Sequence, residues 1–154
     1  MENASKALII AGAILLSILI IALGIYVFNL ARGQMNTNQL EELDASTFNA
    51  TFTYYEGKQL GSNVKALLDK VITNAASNKG AKEKLPTVEY DNSNGGPAMT
   101  VTKVQFDGTE DDAGIKTKNE NISKIRSGIS NTHTYMVDFS YSASGLVETI
   151  TIKY

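Results

Sequence analysis

Residues 7–28 read ALIIAGAILLSILIIALGIYVF, and this stretch decides the fold. It contains no charged residue, and Ser17 is its only strongly polar side chain. A helix of this length measures about 33 Å, which matches the ~30 Å hydrocarbon core of a bilayer. The sequence therefore predicts a membrane-spanning helix within an anchor or assembly segment, residues 1–33, followed by a head of residues 34–154.

A secretory signal peptide is the alternative interpretation of this segment. Residues 31–33 (Ala-Arg-Gly) offer a small-x-small triplet, and cleavage there would leave a chain that begins at Gln34. The apolar stretch exceeds the ~7–15 residues that are usual in signal peptides, which favours a retained helix. The acidic residues that follow it and the polar, cysteine-free head favour an N-terminus inside the cell and a head outside.

Small residues form a stripe along the predicted helix. Ala13, Ser17, Gly24 and Ala31 are separated by four, seven and seven positions, which places them on one face. Such a face lets a second backbone approach closely, so these residues are predicted to pack against another helix. Other small residues fall off the stripe (Ala4, Ala7, Ala11, Gly12 and Ala22), and a stripe without a function is therefore the alternative.

The composition of the head argues against several classes of function. The net charge of the chain is -2, with lysines and acidic residues interspersed, which does not fit a nucleic-acid partner. The absence of cysteine excludes disulfides and thiolate metal sites. His133 is the only histidine, so no zinc cluster or catalytic triad can be built around a second one. We expect a surface histidine, no cofactor and no enzymatic activity.

Three further groups of residues receive structural interpretations. Residues 107–112 contain four acidic residues, but they lack the ligand spacing of an EF-hand, which indicates a solvated loop rather than a calcium site. The glycines of residues 95–97 are not followed by Lys-Ser/Thr, so they indicate a turn rather than a phosphate loop. Glu56 lies beside Tyr54 and Tyr55, but no second carboxylate points to acid-base chemistry.

The beginning of the head has two possible structures. A helix that continues out of the membrane fits the apolar spacing, with a break near Gly33 or within residues 44–47. A strand over residues 48–55 is the alternative, since apolar and polar residues alternate there. The residues on which the helical interpretation rests are Leu40, Leu43, Phe48, Phe52 and Tyr55.

The remainder predicts an α+β head with one amphipathic helix packed on an antiparallel sheet of about four strands. Glycines at 57 and 61 indicate a loop, and Ser62 is expected to cap a helix that ends near Ser77, with a stripe formed by Val64, Leu67, Leu68, Val71 and Ile72. Two hairpins are predicted, residues 87–90 with 99–106 and residues 135–141 with 147–154. Residues 107–120 should form a charged loop, and residues 122–129 either a short helix or an irregular crossover.

An apolar N-terminal helix followed by a helix and an antiparallel sheet resembles the layout of type IV pilins. The likeness is architectural, because no glycine precedes the apolar run and Ala11 stands where pilins carry a glutamate. The chain also resembles small uncharacterised membrane-anchored proteins of Gram-positive bacteria. That resemblance rests on the opening MENASKAL, the stretch FNATFTYYEG leading to VKALL, and the ending YSASGLV.

These observations predict a structural subunit of a pilin-like extracellular filament or surface assembly. Its partners would be membrane lipid, copies of itself packed through the N-terminal helix, or both. The alternative is a solitary single-pass surface protein whose head binds a ligand or partner, through Tyr54, Tyr55 and residues 107–120.

Overall fold

The computed structural model describes the backbone of residues 2–154 and the side chains of residues 2–30 and 44–154. The chain divides into two units, Met1–Leu43 and Asp44–Tyr154. Helix α1 spans Glu2–Thr53 and so contributes to both units. The boundary between anchor and head that was predicted after residue 33 marks the end of the apolar segment. It stays a prediction.

The apolar part of α1 favours a helix because it is rich in Leu, Ile and Ala and contains no proline. Lys6 forms an exposed i,i+4 ion pair with Glu2 at 3.0 Å, which contributes little to stability. The Ser17 hydroxyl donates to the Ala13 carbonyl at 2.8 Å, so the polar group of this segment is satisfied within the helix. The prediction of a long apolar N-terminal helix is confirmed.

The last ten residues of α1 belong to the head, and two of them, Phe48 and Phe52, lie in its core. Phe48 and Phe52, one turn apart, pack edge to face with ring centroids 5.2 Å apart, and Phe52 is completely buried. The strand alternative for residues 48–55 is therefore wrong. The predicted break is wrong as well, since α1 is helical through both places proposed for it.

The head contains one mixed five-stranded sheet, which corrects the prediction of an antiparallel sheet of about four strands. The strand order is β1-β4-β5-β2-β3, and every neighbouring pair is antiparallel except β2 with β5, which are parallel. The strands are β1 (Gly57–Leu60), β2 (Thr87–Asp91), β3 (Lys103–Val104), β4 (Thr134–Tyr141) and β5 (Val147–Lys153).

Strand β1 replaces part of the predicted loop after α1. Gly57 has φ of +86°, a left-handed conformation that turns the chain from α1 into the strand, and β1 then pairs with β4 at the edge of the sheet. At Gly61 a Cβ would overlap the backbone carbonyl of Ser130. The two glycines that indicated a loop therefore mark the turns at either end of a short strand.

The two predicted hairpins differ in outcome. The β4–β5 hairpin is confirmed, with Val137 opposite Ile152. The first hairpin is shorter than predicted, because β2 and β3 pair only at Val88 with Val104 and Glu89 with Lys103. The inner face of the sheet is apolar, and the opposite face carries exposed or half-buried polar residues such as Glu89.

Two further helices, rather than one, cover the apolar face. Helix α2 spans Gly61–Ser77, and the predicted stripe is buried except for Ile72, which is partly buried. Leu60 occupies the N-cap position without a side-chain hydrogen bond, so the capping role predicted for Ser62 is wrong. A 3-10 turn follows at Lys82–Lys84. Helix α3 spans Asp112–Gly128, so most of the charged loop predicted for residues 107–120 is wrong, and of the two alternatives for residues 122–129 the helix is correct.

Helix α3 forms because Asp111 caps it and three isoleucines anchor it. The Asp111 carboxylate accepts a hydrogen bond from the Gly114 amide at 2.7 Å. Ile115, Ile122 and Ile125 are buried, and Arg126 forms an ion pair with Asp69 of α2 at 2.7 Å. The other side chains of α3 are mostly polar, which explains why the sequence pattern indicated a loop over its first half.

Candidate functional site: the exposed apolar helix

The N-terminal part of α1 carries an exposed apolar surface on all sides. Between residues 8 and 30, sixteen large hydrophobic side chains are each 56% to 77% exposed. The stretch Glu2–Leu30 is long and apolar enough to cross a membrane, and no part of its apolar window is buried against the rest of the protein. Such a surface needs lipid or other apolar helices around it. The sixteen residues are Leu8, Ile9, Ile10, Ile14, Leu15, Leu16, Ile18, Leu19, Ile20, Ile21, Leu23, Ile25, Tyr26, Val27, Phe28 and Leu30.

Three of the four predicted packing residues lie on the described part of this surface. A Cβ added at Gly24 would meet no atom within 4 Å, so the helix backbone is accessible there. Ser17 turns its hydroxyl back to Ala13, which leaves a small and internally satisfied side chain on the same face. The side chain of Ala31 lies outside the described residues. The role of the stripe as a helix contact stays a prediction.

The end of α1 is fastened to the turn that joins β4 and β5. The Asn49 side-chain amide donates to the Gly145 carbonyl at 2.7 Å, and its oxygen accepts from the Val147 amide at 3.0 Å. Asp44 forms an ion pair with Lys84 at 2.6 Å. The sequence gives no sign of the role of Asn49, because its partners lie almost a hundred positions further along the chain.

Exposed tyrosines flank the junction between α1 and the sheet. Tyr54 is 75% exposed and contacts the buried Tyr55 edge to face, with ring centroids 5.2 Å apart. Burial, and then the negative charge of Glu56, raise the pKa of Tyr141, which lies nearby on β4. Tyr55 belongs to the core, and most of residues 107–120 form α3. Of the two tyrosines predicted to bind a ligand in the solitary protein, Tyr54 is therefore exposed and Tyr55 is not.

His133 is half-buried in an aromatic cluster rather than a simple surface residue. Its ring stacks on Tyr154 at 4.0 Å and nearly parallel, and it meets Tyr135 edge to face at 5.1 Å. The Tyr135 hydroxyl accepts from the Ser130 amide at 2.9 Å. Burial is the main cause that raises the pKa of the neighbouring Tyr90 to about 12, so this phenol stays neutral at physiological pH. The cluster has a structural role at one end of the sheet.

The acidic residues that precede α3 bind their own loop. Asp107 accepts from the Thr109 amide at 2.8 Å and from its hydroxyl at 2.6 Å, and these bonds lower the pKa of the Asp107 carboxyl. Glu110 accepts from the amides of Asp107 and Gly108 at 2.8 and 2.9 Å. Among the described residues, no three His, Cys, Asp or Glu side chains are grouped to hold a metal ion. This geometry favours a structural interpretation of the loop.

No protein-family model, curated protein or solved structure matches this chain. The likenesses to type IV pilins and to anchored Gram-positive proteins stay predictions from the sequence. The candidate site is accordingly defined by its own geometry, that of an exposed apolar helix.

Proposed function

We propose that this protein is a membrane-anchored structural subunit whose apolar helices pack together in an extracellular filament or surface assembly, with the α+β heads in water. One observation carries the proposal. The helix that exposes sixteen large apolar side chains is also the helix that ends with Phe48 and Phe52 in the core of the head. Anchor and head are thus parts of one structural element.

The apolar segment must be covered by lipid or by other helices, because leaving it in water costs too much free energy. Removing about 22 apolar residues from water releases on the order of 15 to 25 kcal/mol, if each contributes roughly 0.7 to 1.1 kcal/mol. Lipid alone would satisfy this requirement for a solitary protein. The accessible backbone at Gly24 and the small side chains at Ala13 and Ser17 favour helix association instead, since close backbone approach is what stabilises helix contacts in an apolar medium.

Gentle shearing of cells separates the two possibilities. If the protein is a filament subunit, the intact chain with its apolar segment should appear in the sheared fraction, in high-molecular-weight particles that negative staining shows as filaments. If it is a solitary anchored protein, it should stay with the membranes as a monomer. A sheared product that begins at Gln34 would instead identify a cleaved leader and remove the basis for the assembly.

The Gly24→Leu variant should weaken assembly. A leucine at this position would hold two helices apart, and overpacking of a close contact costs about 1–3 kcal/mol. The matched control is Ala22→Leu, which adds a large side chain at nearly the same depth but off the stripe. The yield and length of sheared filaments measure the effect. Equal losses in both variants, or filaments unchanged by Gly24→Leu, would show that the stripe is not the contact.

A further inference from the structure

The turn between β2 and β3 contains an asparagine followed by a glycine. The proposed assembly makes no use of this turn. Asn94 and Gly95 are both exposed, and Gly95 has φ of +89° with no atom within 4 Å of an added Cβ. Glycine is the residue that least hinders its own backbone nitrogen, because it has no side chain. No side chain of residue 95 therefore shields its nitrogen from the side chain that precedes it.

We propose that Asn94 is a site of spontaneous covalent modification, at which the head converts an amide into a carboxylate. The Gly95 amide nitrogen loses its proton and attacks the Asn94 side-chain carbonyl carbon. The bond from that carbon to Nδ2 breaks, ammonia leaves, and a five-membered imide forms. One water molecule then opens the imide at either carbonyl to give aspartate or isoaspartate. The sum is amide plus water to carboxylate plus ammonium, with no electron transfer.

Two hydrogen bonds of the turn control the reaction. The Gly95 backbone amide donates to the Asn92 carbonyl at 3.0 Å, and the Asn94 side-chain Nδ2 donates to the main-chain oxygen of Tyr154 at 3.2 Å. Both must open before nitrogen and carbon can meet, and an exposed turn opens more readily than the core of the sheet. We infer that the reaction proceeds through local opening of residues 92–95 and does not require unfolding of the head.

The product would change the end of the sheet. The Asn94 side chain donates to the main-chain oxygen of Tyr154, whose ring stacks on His133. A carboxylate has no hydrogen to donate to that oxygen, and it adds a negative charge near Asp91. The modified head should therefore lose the tie between the turn and Tyr154 and show weaker near-ultraviolet circular dichroism from its tyrosines.

The experiment follows individual asparagines in the purified full-length protein in detergent. Samples are kept folded in neutral and in mildly alkaline buffer, and peptide mapping by mass spectrometry measures the conversion of each asparagine with time. Asn94 should convert first and faster at the higher pH, with isoaspartate among the products. Asn92 and Asn131 are internal controls, because both are exposed but are followed by Ser93 and Thr132.

The Asn94→Gln variant is the matched control for the chemistry. Glutamine keeps an amide donor in the turn but cannot close the same five-membered ring with the next nitrogen. This variant should keep the circular dichroism of the fresh protein throughout the incubation, whereas the unchanged protein should lose part of it. Conversion of Asn92 or Asn131 before Asn94, or an Asn94 that stays intact while other asparagines react, would overturn the proposal.

Discussion

The Phe52→Ala variant should lose about 3–5 kcal/mol of the free energy of unfolding of the head. Phe52 is completely buried, its ring meets Phe48, and the space it leaves is enclosed by the core rather than open to water. The cost combines the lost transfer free energy of the ring with that of a cavity. Urea unfolding of the full-length protein in mild detergent, followed by the near-ultraviolet circular dichroism of its tyrosines, measures the change.

The neighbouring Thr51→Ala substitution is the control for this result. Thr51 lies on the exposed side of the same helical turn, so Thr51→Ala should change the free energy of unfolding by no more than about 0.5 kcal/mol. A Phe52→Ala variant as stable as Thr51→Ala would mean that the end of α1 does not belong to the core of the head. The head would then begin after Thr53, and the structural link between anchor and head on which the proposed function rests would fail.

Elements whose pattern is local could be predicted from the sequence. The apolar part of α1, the buried stripe of α2 and the β4–β5 hairpin each follow from residues that are near one another in the chain. The helical structure of residues 48–53 could not be decided from the local pattern alone, because apolar and polar residues alternate there as they would in a strand. Burial of both Phe48 and Phe52 against the head selects the helix, and this is tertiary information.

Long-range pairings could not be predicted in this way. The parallel contact of β2 with β5 places Val88 beside Ile150, and nothing near either residue specifies the other. Strand β1 was missed because its four residues lie between two glycines, and it is stabilised by its pairing with β4. In α3, helix formation depends on the Asp111 cap and on packing against α2, neither of which a weak apolar pattern reveals.

For the candidate site too, features with a local pattern could be predicted and long-range contacts could not. The exposed apolar helix is evident from composition, and the structure adds that its polar atom at Ser17 is internally satisfied. Asn49 and the stack of His133 on Tyr154 could not be found from the sequence, because each depends on a contact between distant segments. Neither residue belongs to a sequence pattern from which its partners could be deduced.

A charge on the small-residue stripe should separate membrane anchoring from assembly. We expect Ser17→Arg to stay in the membrane, because the large apolar residues contribute about -0.3 to -0.6 kcal/mol each and one central arginine costs about 2.5–3.5 kcal/mol. Assembly should fail, since an unpaired charge in a helix contact costs about 3–5 kcal/mol, roughly two to four powers of ten in association. Carbonate extraction measures anchoring, and negative staining of sheared material measures assembly.

Ile18→Arg is the matched variant, because it places the same charge at the same depth but turns it about 100° around the helix. It should resist carbonate extraction as Ser17→Arg does, and it should keep more of the filaments. If the two variants lose filaments equally, the helices pack on all sides and the stripe has no special role. If both keep them, contacts between the apolar helices do not hold the filament together, and the proposed mode of assembly is wrong.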